Sequence, residues 1–319
     1  MTDTADSPSA LPARPVADLK RLSLGFTRTL AAASIARLAA AALAAAPPKT
    51  VYFPSADGST ELVGYLFEPE GGGRHPAIAM LHGRGGPYSS QVHDGCTLVA
   101  RGHDSPCNAS TLSKRHTIWG EYWAAHGYLA LHVDSFGPRG RAHGYGRGTH
   151  DDPDREAVNE RTVRPLDAEG ALAYLAQRSD VEPGRTMLQG WSNGASTALN
   201  LLYRQAEAPP GAAGSARFRA ALVFYPGCGP KALPTQKRWR TDVPTWVFLG
   251  SDDEEVSPQV CREVLGRTSP PAGPVDIAWY EGATHDFDDP GTARQAVAGN
   301  RAARRNAMGR AAALLDGVR

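Results

Sequence analysis

The feature that most constrains this chain is an apolar run that ends in Gly190-Trp191-Ser192-Asn193-Gly194 and passes directly into a stretch of small residues. The pattern G-x-S-x-G is typical of a sharp strand-to-helix turn that presents one serine at its apex. The glycines have a steric reason, because the serine backbone is strained and the strand and helix must pass closely on either side of it. The pattern also arises by chance in glycine-rich loops, so its interpretation depends on the rest of the chain.

Two candidate partners of Ser192 follow it in the chain. One apolar run ends in glycine and the acids Asp252 and Asp253, and a later one ends in a loop that carries His285. A serine hydroxyl is a weak nucleophile until an imidazole takes its proton, and a carboxylate must hold that imidazole in the right tautomer. The chain order serine, aspartate, histidine is that of the α/β-hydrolase fold. Together the three motifs predict a serine hydrolase of this fold.

A glycine-rich turn after an earlier apolar run supplies the candidate oxyanion donors Gly83, Arg84 and Gly85. In this fold that turn donates one backbone N–H to the oxyanion, and the residue after the nucleophile, here Asn193, donates the other. Arg84 is the first choice for the first donor, and Gly83 lets a substrate carbonyl approach the backbone closely. Trp191 lines an acyl or aromatic pocket in one interpretation and packs beneath the turn in the other.

Six segments carry a resemblance to a known family: His82-Gly-Arg-Gly-Gly, Asp134-Ser-Phe-Gly-Pro-Arg-Gly, Gly190-Trp-Ser-Asn-Gly, Tyr225-Pro-Gly-Cys-Gly, Gly250-Ser-Asp-Asp and Tyr280-Glu-Gly-Ala-Thr-His-Asp-Phe. They resemble the dienelactone hydrolase family of α/β-hydrolases from about Val51 to the C-terminus. The resemblance implies that the catalytic acid lies three residues after the glycine, at Asp253, with Asp252 as the alternative. Founding members carry cysteine where this chain has Ser192, which favours the broader serine-esterase branch over dienelactone activity.

The order of predicted elements favours one large α/β domain over residues 49–319, preceded by an N-terminal extension over 1–48. An antiparallel hairpin over 49–55 and 61–68 is predicted at the sheet edge. Continuous apolar runs predict buried strands at 77–81, 128–133, 187–189, 220–225, 245–249 and 276–280. Helices are predicted over 110–126, 153–178 with a bend at Pro165, and 291–318. The alternation predicts a mostly parallel central sheet with helices on both faces.

The N-terminal extension has two interpretations. An apolar run over 38–46 that precedes two prolines resembles the core of a secretory signal, which would make the protein periplasmic or secreted. The alternative is an alanine-rich amphipathic helix over about 17–46 in a cytoplasmic protein. The run is too short to cross a membrane.

The four cysteines leave two states open. An even number fits export. Cys96 with Cys107 and Cys228 with Cys261 could form disulfides, and four reduced thiols are the alternative.

Charge and ligand spacing exclude several other functions. The net charge of +1 gives no support for binding nucleic acid or an anionic membrane. Histidines near Cys96 and Cys107 do not have the spacing of a zinc site, so neither a metal nor another cofactor is expected. Arg84, Arg139 and Arg141 could form a cationic lip for a substrate carboxylate, or could be surface arginines and a salt bridge to Asp134.

These patterns predict a serine hydrolase that cleaves small carboxylic esters or lactones through an acyl-enzyme. In it Ser192 attacks, His285 acts as base and then acid, and Asp253 orients the imidazole. Alternatives on the same fold are an acyl transferase, a peptidase, or a catalytically silent binding protein. The oligomeric state and the natural substrate are not encoded in any of these motifs.

Overall fold

The computed structural model describes residues 47–149, 152–208, 216–268 and 275–318. The signal-like run over 38–46 lies outside these described residues. Among the helices of the described part, none combines the length and the apolar character that crossing a bilayer requires.

Eight strands form one sheet that places the site. They are β1 Lys49–Pro54, β2 Glu61–Phe67, β3 His75–Leu81, β4 Leu129–Asp134, β5 Val181–Trp191, β6 Ala221–Phe224, β7 Thr245–Gly250 and β8 Val275–Tyr280. Their spatial order is β1-β2-β4-β3-β5-β6-β7-β8. β2 is antiparallel to β1 and β4, and every other pairing is parallel. The mostly parallel sheet with a hairpin at one edge is therefore confirmed.

Seven α-helices accompany the sheet in the described part. They are α1 Lys114–Ala125, α2 Arg164–Ala176, α3 Asn193–Glu207, α4 Leu233–Gln236, α5 Pro258–Gly266, α6 Thr292–Ala296 and α7 Ala298–Asp316. Apolar side chains of α2, α3 and α5 share one core cluster, and those of α1 and α7 share another. Along β3, Ala77 and Ala79 join the first cluster whereas Ile78 and Met80 join the second, because successive strand residues point to opposite faces. Both faces of the sheet are thus covered by helices, as predicted.

The helix predicted over 153–178 is wrong in its first half. The structure has a 3₁₀ segment at Pro153–Val158, and α2 begins only at Arg164. Pro165 lies in the first turn of α2 rather than at a bend. A proline is tolerated there because the first N–H groups of a helix have no intrahelical acceptor.

Three other boundaries differ from the predictions. The helix expected from residue 110 begins at Lys114, after a 3₁₀ turn that the Asn108 side chain caps. The C-terminal helix is interrupted at Val297, whose extended backbone separates α6 from α7. The strand expected at 187–189 extends over the whole of β5.

Two disulfides fix segments near the carboxyl ends of the strands. Cys96–Cys107 closes part of the long connection between β3 and α1, with a Cα–Cα distance of 5.3 Å. Cys228–Cys261 joins the segment after β6 to α5, with a Cα–Cα distance of 5.1 Å. Both pairings that the sequence left open are therefore formed.

Candidate active site

Ser192 lies at the turn between β5 and α3 with a strained backbone. Its φ of 51° and ψ of −115° lie outside the regions that a side-chain-bearing residue normally adopts. A Cβ atom at Gly190 would lie 2.4 Å from the Gly194 carbonyl oxygen, and one at Gly194 would lie 2.1 Å from that of Leu81. The two glycines are thus required by the close passage of β5, α3 and the end of β3.

A hydrogen-bonded chain runs from Ser192 through His285 to Asp253. The Ser192 Oγ lies 3.0 Å from His285 Nε2, and Asp253 Oδ2 lies 2.8 Å from His285 Nδ1. Because a carboxylate accepts, the Nδ1–H donates to Asp253 and leaves Nε2 to accept from the hydroxyl. The His285 and Asp253 side chains are 2% and 0% exposed.

Asp252, the alternative acid, has a different position. Its side chain accepts from the Ser251 hydroxyl at 2.7 Å and is exposed. The second carboxylate oxygen of Asp253 accepts the backbone N–H groups of Glu255 and Val256 at 2.8 and 2.9 Å. Its orientation is therefore fixed by its own loop.

The surroundings of His285 favour its protonated form. Burial opposes the charged imidazolium, but the hydrogen bond to Asp253 and the nearby carboxylates of Asp286 and Glu255 outweigh it and raise the pKa of His285 above its usual value. The imidazole is thus prepared to take up a proton from a neighbouring hydroxyl.

Glu255 is a functional candidate that the sequence patterns missed. Its Oε2 lies 3.9 Å from His285 Nε2, on the side of the ring that faces Ser192. Arg84 donates to both of its carboxylate oxygens at 3.1 to 3.2 Å, and Arg147 pairs with it at 2.5 Å. The only sequence signal was its place in the acidic run after β7.

Of the two interpretations of Arg84, Arg139 and Arg141, the cationic lip is not supported, because each guanidinium already has an acidic partner. Besides its contact with Glu255, the Arg84 guanidinium donates to the carbonyl of Tyr145 at 3.1 Å. Arg139 pairs with Asp57 and Asp167, and Arg141 pairs with Asp154. The salt bridge to Asp134 that the other interpretation offered does not form either, since these arginines have other acidic partners.

Trp191 does not line a substrate pocket. Its side chain is fully buried, and the indole N–H donates to Asp288 at 2.8 Å. The alternative interpretation, packing beneath the turn, is the one that the structure supports. Gly83 does lie beside the nucleophile, since a Cβ atom built on it would be 3.5 Å from that of Ser192.

A second network holds the loop that carries His285. Asp286 has a φ of 56° and pairs with the partly buried Arg115, which also donates to the Tyr225 hydroxyl at 3.1 Å. The Tyr225 ring lies 4.7 Å from the imidazole, centroid to centroid. Burial favours the neutral form of Asp286, but the Arg115 guanidinium outweighs it and holds the pKa of this carboxyl well below its usual range.

A cleft of about 700 Å³ opens beside Ser192. Its walls are the first turns of α3, the 3₁₀ segment with the turn that follows it, and the segments after β6 and β7. Among the described residues that line it, none is aromatic, and charged or amide side chains such as Arg155, Glu160 and Asn200 alternate with small apolar ones. The surface available to a ligand is therefore mixed, with charged and amide groups set among apolar ones.

Comparison with protein families identifies the chain. The sequence model described as the dienelactone hydrolase family matches residues 113–317, which is more than half of the chain. The chain belongs to the dienelactone hydrolase family. This membership makes it a hydrolase of the carboxylic ester class. No curated protein matches the sequence.

Solved structures share the fold of this dienelactone hydrolase family member. A dienelactone hydrolase-like promiscuous phosphotriesterase from metagenomic libraries superposes with a TM-score of 0.58 at 17% identity, covering 86% of this chain and 99% of that one. A thermophilic esterase from the planctomycete Thermogutta terrifontis gives 0.57 at 17% identity, covering 85% and 94%. A puromycin hydrolase gives 0.57 at 17% identity, and the match covers only 39% of that longer chain. At these identities the likeness concerns the fold alone.

Two groups of side chains in the described part of this family member have metal-ligand atoms close together. One contains Cys96, Cys107 and His143, and the other contains Glu255, His285 and Asp286. The sulfurs of the first are bonded to each other in a disulfide. In the second, both imidazole nitrogens already lie in the hydrogen-bonded chain from the serine to the aspartate. Neither group offers a free ligand set.

Proposed function

We propose that this protein cleaves carboxylic esters or lactones through a covalent acyl-enzyme on Ser192. The observation that carries the proposal is the hydrogen-bonded chain of 3.0 Å and 2.8 Å that joins Ser192, His285 and Asp253. As the Ser192 oxygen attacks the substrate carbonyl carbon, His285 Nε2 accepts the hydroxyl proton. Asp253 keeps Nδ1 protonated and stabilises the imidazolium that results.

The negative charge of the tetrahedral intermediate falls on the former carbonyl oxygen. We assign its stabilisation to the backbone N–H groups of Asn193, which directly follows the nucleophile, and of Arg84, which lies within the glycine turn. Each such donor contributes about 10²–10³ in rate. The intermediate collapses when His285 gives its proton to the departing alkoxide, which leaves as the alcohol.

Deacylation repeats the sequence with water. His285 removes a proton from a water molecule that attacks the acyl carbon, and then returns the proton to the Ser192 oxygen as the acid product leaves. The raised pKa of His285 suits both steps, because base and acid catalysis are most efficient near the working pH. No cofactor takes part in the proposed steps.

The proposed substrate is a small molecule with polar substituents. The cleft beside Ser192 lacks aromatic side chains among its described lining residues and is rich in charged and amide groups. Arg84 is neutralised by Glu255, so a substrate carboxylate has no unpaired guanidinium to bind at this position. Short esters with hydroxyl or amide substituents fit this lining, because the substituents can pair with its charged and amide groups while the apolar parts contact the rest of the surface.

The experiment is turnover of p-nitrophenyl acetate by the wild type and by Ser192→Ala. We expect the variant to retain its fold and to lose more than about 10³-fold in kcat/KM, as nucleophile removal does in serine hydrolases. Ser179→Ala, at the far end of α2 from the cleft, is the matched control and should keep wild-type turnover. Activity of the Ser192 variant above a few per cent of wild type would refute the proposal.

Three added measurements separate the alternatives on this fold. An acyl transferase would transfer the acetyl group to added alcohol faster than to water, so the ester product would exceed acetate. A silent binding protein would give no turnover and no fluorophosphonate adduct. A protease would cleave peptide amides at rates comparable with those for esters.

A further inference from the structure

A buried arginine joins the two backbone segments that flank Ser192. Arg164, the first residue of α2, is fully buried. Its Nη2 donates to the carbonyl oxygen of His82 at 2.8 Å, and its Nη1 donates to the side-chain oxygen of Asn193. One of these acceptors directly precedes the glycine turn and the other directly follows the nucleophile.

Arg164 does not form a close ion pair with any described carboxylate. Among the described residues, no carboxylate oxygen lies within 4.0 Å of its guanidinium nitrogens, whereas the neighbouring Arg139 takes both oxygens of Asp167 at 2.8 and 2.9 Å. The guanidinium carbon instead lies 4.9 Å from the centroid of the Phe136 ring. Burial lowers the pKa of Arg164 to about 10, so the side chain is still cationic at neutral pH.

Burying a cation without a close counter-ion raises the free energy of the folded state, because the charge loses its hydration. The free energy is lowered here by hydrogen bonds to neutral acceptors and by the more distant carboxylates of Asp167 and Glu160. A leucine or methionine would fill similar space without this cost, as hydrophobic replacements of buried charges often do. Packing alone therefore does not account for an arginine at position 164.

The contacts of Arg164 fix both segments that carry the proposed oxyanion donors. The His82 carbonyl belongs to the same planar peptide group as the Gly83 N–H, so holding the oxygen also sets the plane from which the turn reaches Arg84. On the other segment, the Asn193 side chain accepts from Arg164 and donates to Glu160 at 2.8 Å. A single planar guanidinium, with its donors in a rigid fork, thus sets the separation between the turn and α3.

We infer that Arg164 is the positioning residue of the oxyanion site: it holds the glycine turn and Asn193 at the separation that the tetrahedral anion requires, and its positive charge favours that anion. This inference rests on the proposed ester hydrolysis. Arg164 does not touch substrate in this role. Its effect should appear in the transition state, where the negative charge develops, and much less in ground-state binding.

The test compares Arg164→Met and Arg164→Lys with Arg178→Met, a control that removes an arginine just beyond the end of α2, where its partners are Asp180 and Tyr174. Each variant is assayed for kcat and KM on a p-nitrophenyl ester and for inhibition by a trifluoromethyl ketone, which forms an anionic tetrahedral adduct. Rates are normalised to the fraction that exhaustive fluorophosphonate labelling modifies, measured by intact mass.

We expect Arg164→Met to lower kcat by about 10²-fold with KM within about threefold, as loss of an oxyanion donor does. The inhibition constant of the ketone should rise in parallel with the loss of kcat. Arg164→Lys should recover part of the rate, because an ammonium keeps the charge but cannot bridge both acceptors. The Arg178 variant should keep wild-type kcat and inhibition.

Wild-type kcat per labelled site in Arg164→Met, or a loss confined to KM, would overturn the inference. If Arg164→Met does not fold, Asn193→Ala replaces it, since it removes the Arg164 acceptor and keeps the backbone N–H. We then expect about a tenfold loss of kcat at unchanged KM, and wild-type kcat would refute the role. A wild type that neither labels nor hydrolyses esters would instead remove the proposed function itself.

Discussion

Asp288 accepts a hydrogen bond at 2.8 Å from the indole of Trp191, the residue that immediately precedes Ser192. Asp288 itself lies three residues after His285. The same carboxylate accepts the Trp119 indole N–H at 2.8 Å and the Tyr225 hydroxyl at 2.5 Å. One buried side chain thus ties the loop of the proposed base to the strand that delivers the proposed nucleophile.

Replacing Asp288 should therefore destabilise the protein and separate the two groups. Asp288→Leu leaves three buried donors without an acceptor, and each costs about 1–3 kcal/mol, so we expect a loss of several kcal/mol in the free energy of unfolding. Asp288→Asn keeps a carbonyl oxygen and should lose less. Urea unfolding measures the effect, with the exposed Asp276→Leu as control. Equal stability of the two leucine variants would contradict this role of Asp288.

The pH dependence of turnover should report the carboxylates around His285. The imidazole must be neutral to accept a proton, and its pKa is raised, so kcat/KM should rise with pH through an inflection above about 6.5. Glu255→Gln removes a negative charge 3.9 Å from Nε2 and should lower the His285 pKa. We expect the acid limb to move to lower pH.

The control for this profile is Glu156→Gln, which removes a cleft carboxylate paired with Arg161 rather than one beside the imidazole. Its acid limb should coincide with that of the wild type. A shift of the Glu255→Gln limb to higher pH would contradict the electrostatic account of His285.

Stability should fall in acid because a cluster of buried histidines resists protonation. Burial, with the nearby His116 and His82, holds the pKa of His132 well below its usual value, and neither ring nitrogen has a hydrogen-bond partner in the described part. As pH falls below about 6.5, the unfolded chain binds a proton at this position that the native state does not. The free energy of unfolding therefore decreases as the pH falls below about 6.5.

His132→Leu tests this directly. It removes two buried nitrogens without partners, so the free energy of unfolding at pH 7 should be unchanged or increased. Its decline between pH 6 and pH 4.5 should be shallower than in the wild type by about 1.4 kcal/mol per pH unit. The control is Met80→Leu. Met80 pairs with His132 in the sheet and carries no titrating group, so this variant should keep the wild-type dependence of the free energy of unfolding on pH. An unchanged slope in His132→Leu would contradict the assignment.

The sequence predicted the features that a short motif or a continuous apolar run encodes. Gly190 is required by its approach to Gly194, and Gly194 by its approach to Leu81, so the spacing of the two glycines around Ser192 reveals the turn. The strand ends that carry Asp253 and His285 follow from apolar runs. The choice of Asp253 over Asp252 came from the family resemblance, because nothing in two adjacent aspartates shows which one points inward.

The missed residues depend on contacts between distant parts of the chain. Glu255 meets Arg84 across a separation of 171 residues, and Arg164 meets His82 across 82. Trp191 was ambiguous because its partner, Asp288, lies 97 residues away. Single-sequence patterns do not encode which elements become neighbours in the sheet, so charge pairing and tertiary hydrogen bonds emerged only from the structure.

Removing the disulfide between Cys228 and Cys261, beside the cleft, should lower the free energy of unfolding. The Cys228–Cys261 disulfide closes a loop with a sequence separation of 33, for which chain entropy gives roughly 3–4 kcal/mol of stabilisation. We expect the Cys228→Ser/Cys261→Ser double variant to unfold at lower urea concentration. The control is Cys96→Ser/Cys107→Ser, whose shorter loop should lose less, about 3 kcal/mol. Equal stability of the first variant and the oxidised wild type would contradict the expectation.

The central claim is that Ser192 is a nucleophile activated by His285, and the most direct measurement is the site and rate of fluorophosphonate labelling. Peptide mapping should find one adduct, on Ser192, and His285→Ala should slow its formation by at least about 10³-fold. An adduct on another residue, or wild-type labelling of Ser192 in His285→Ala, would contradict the claim.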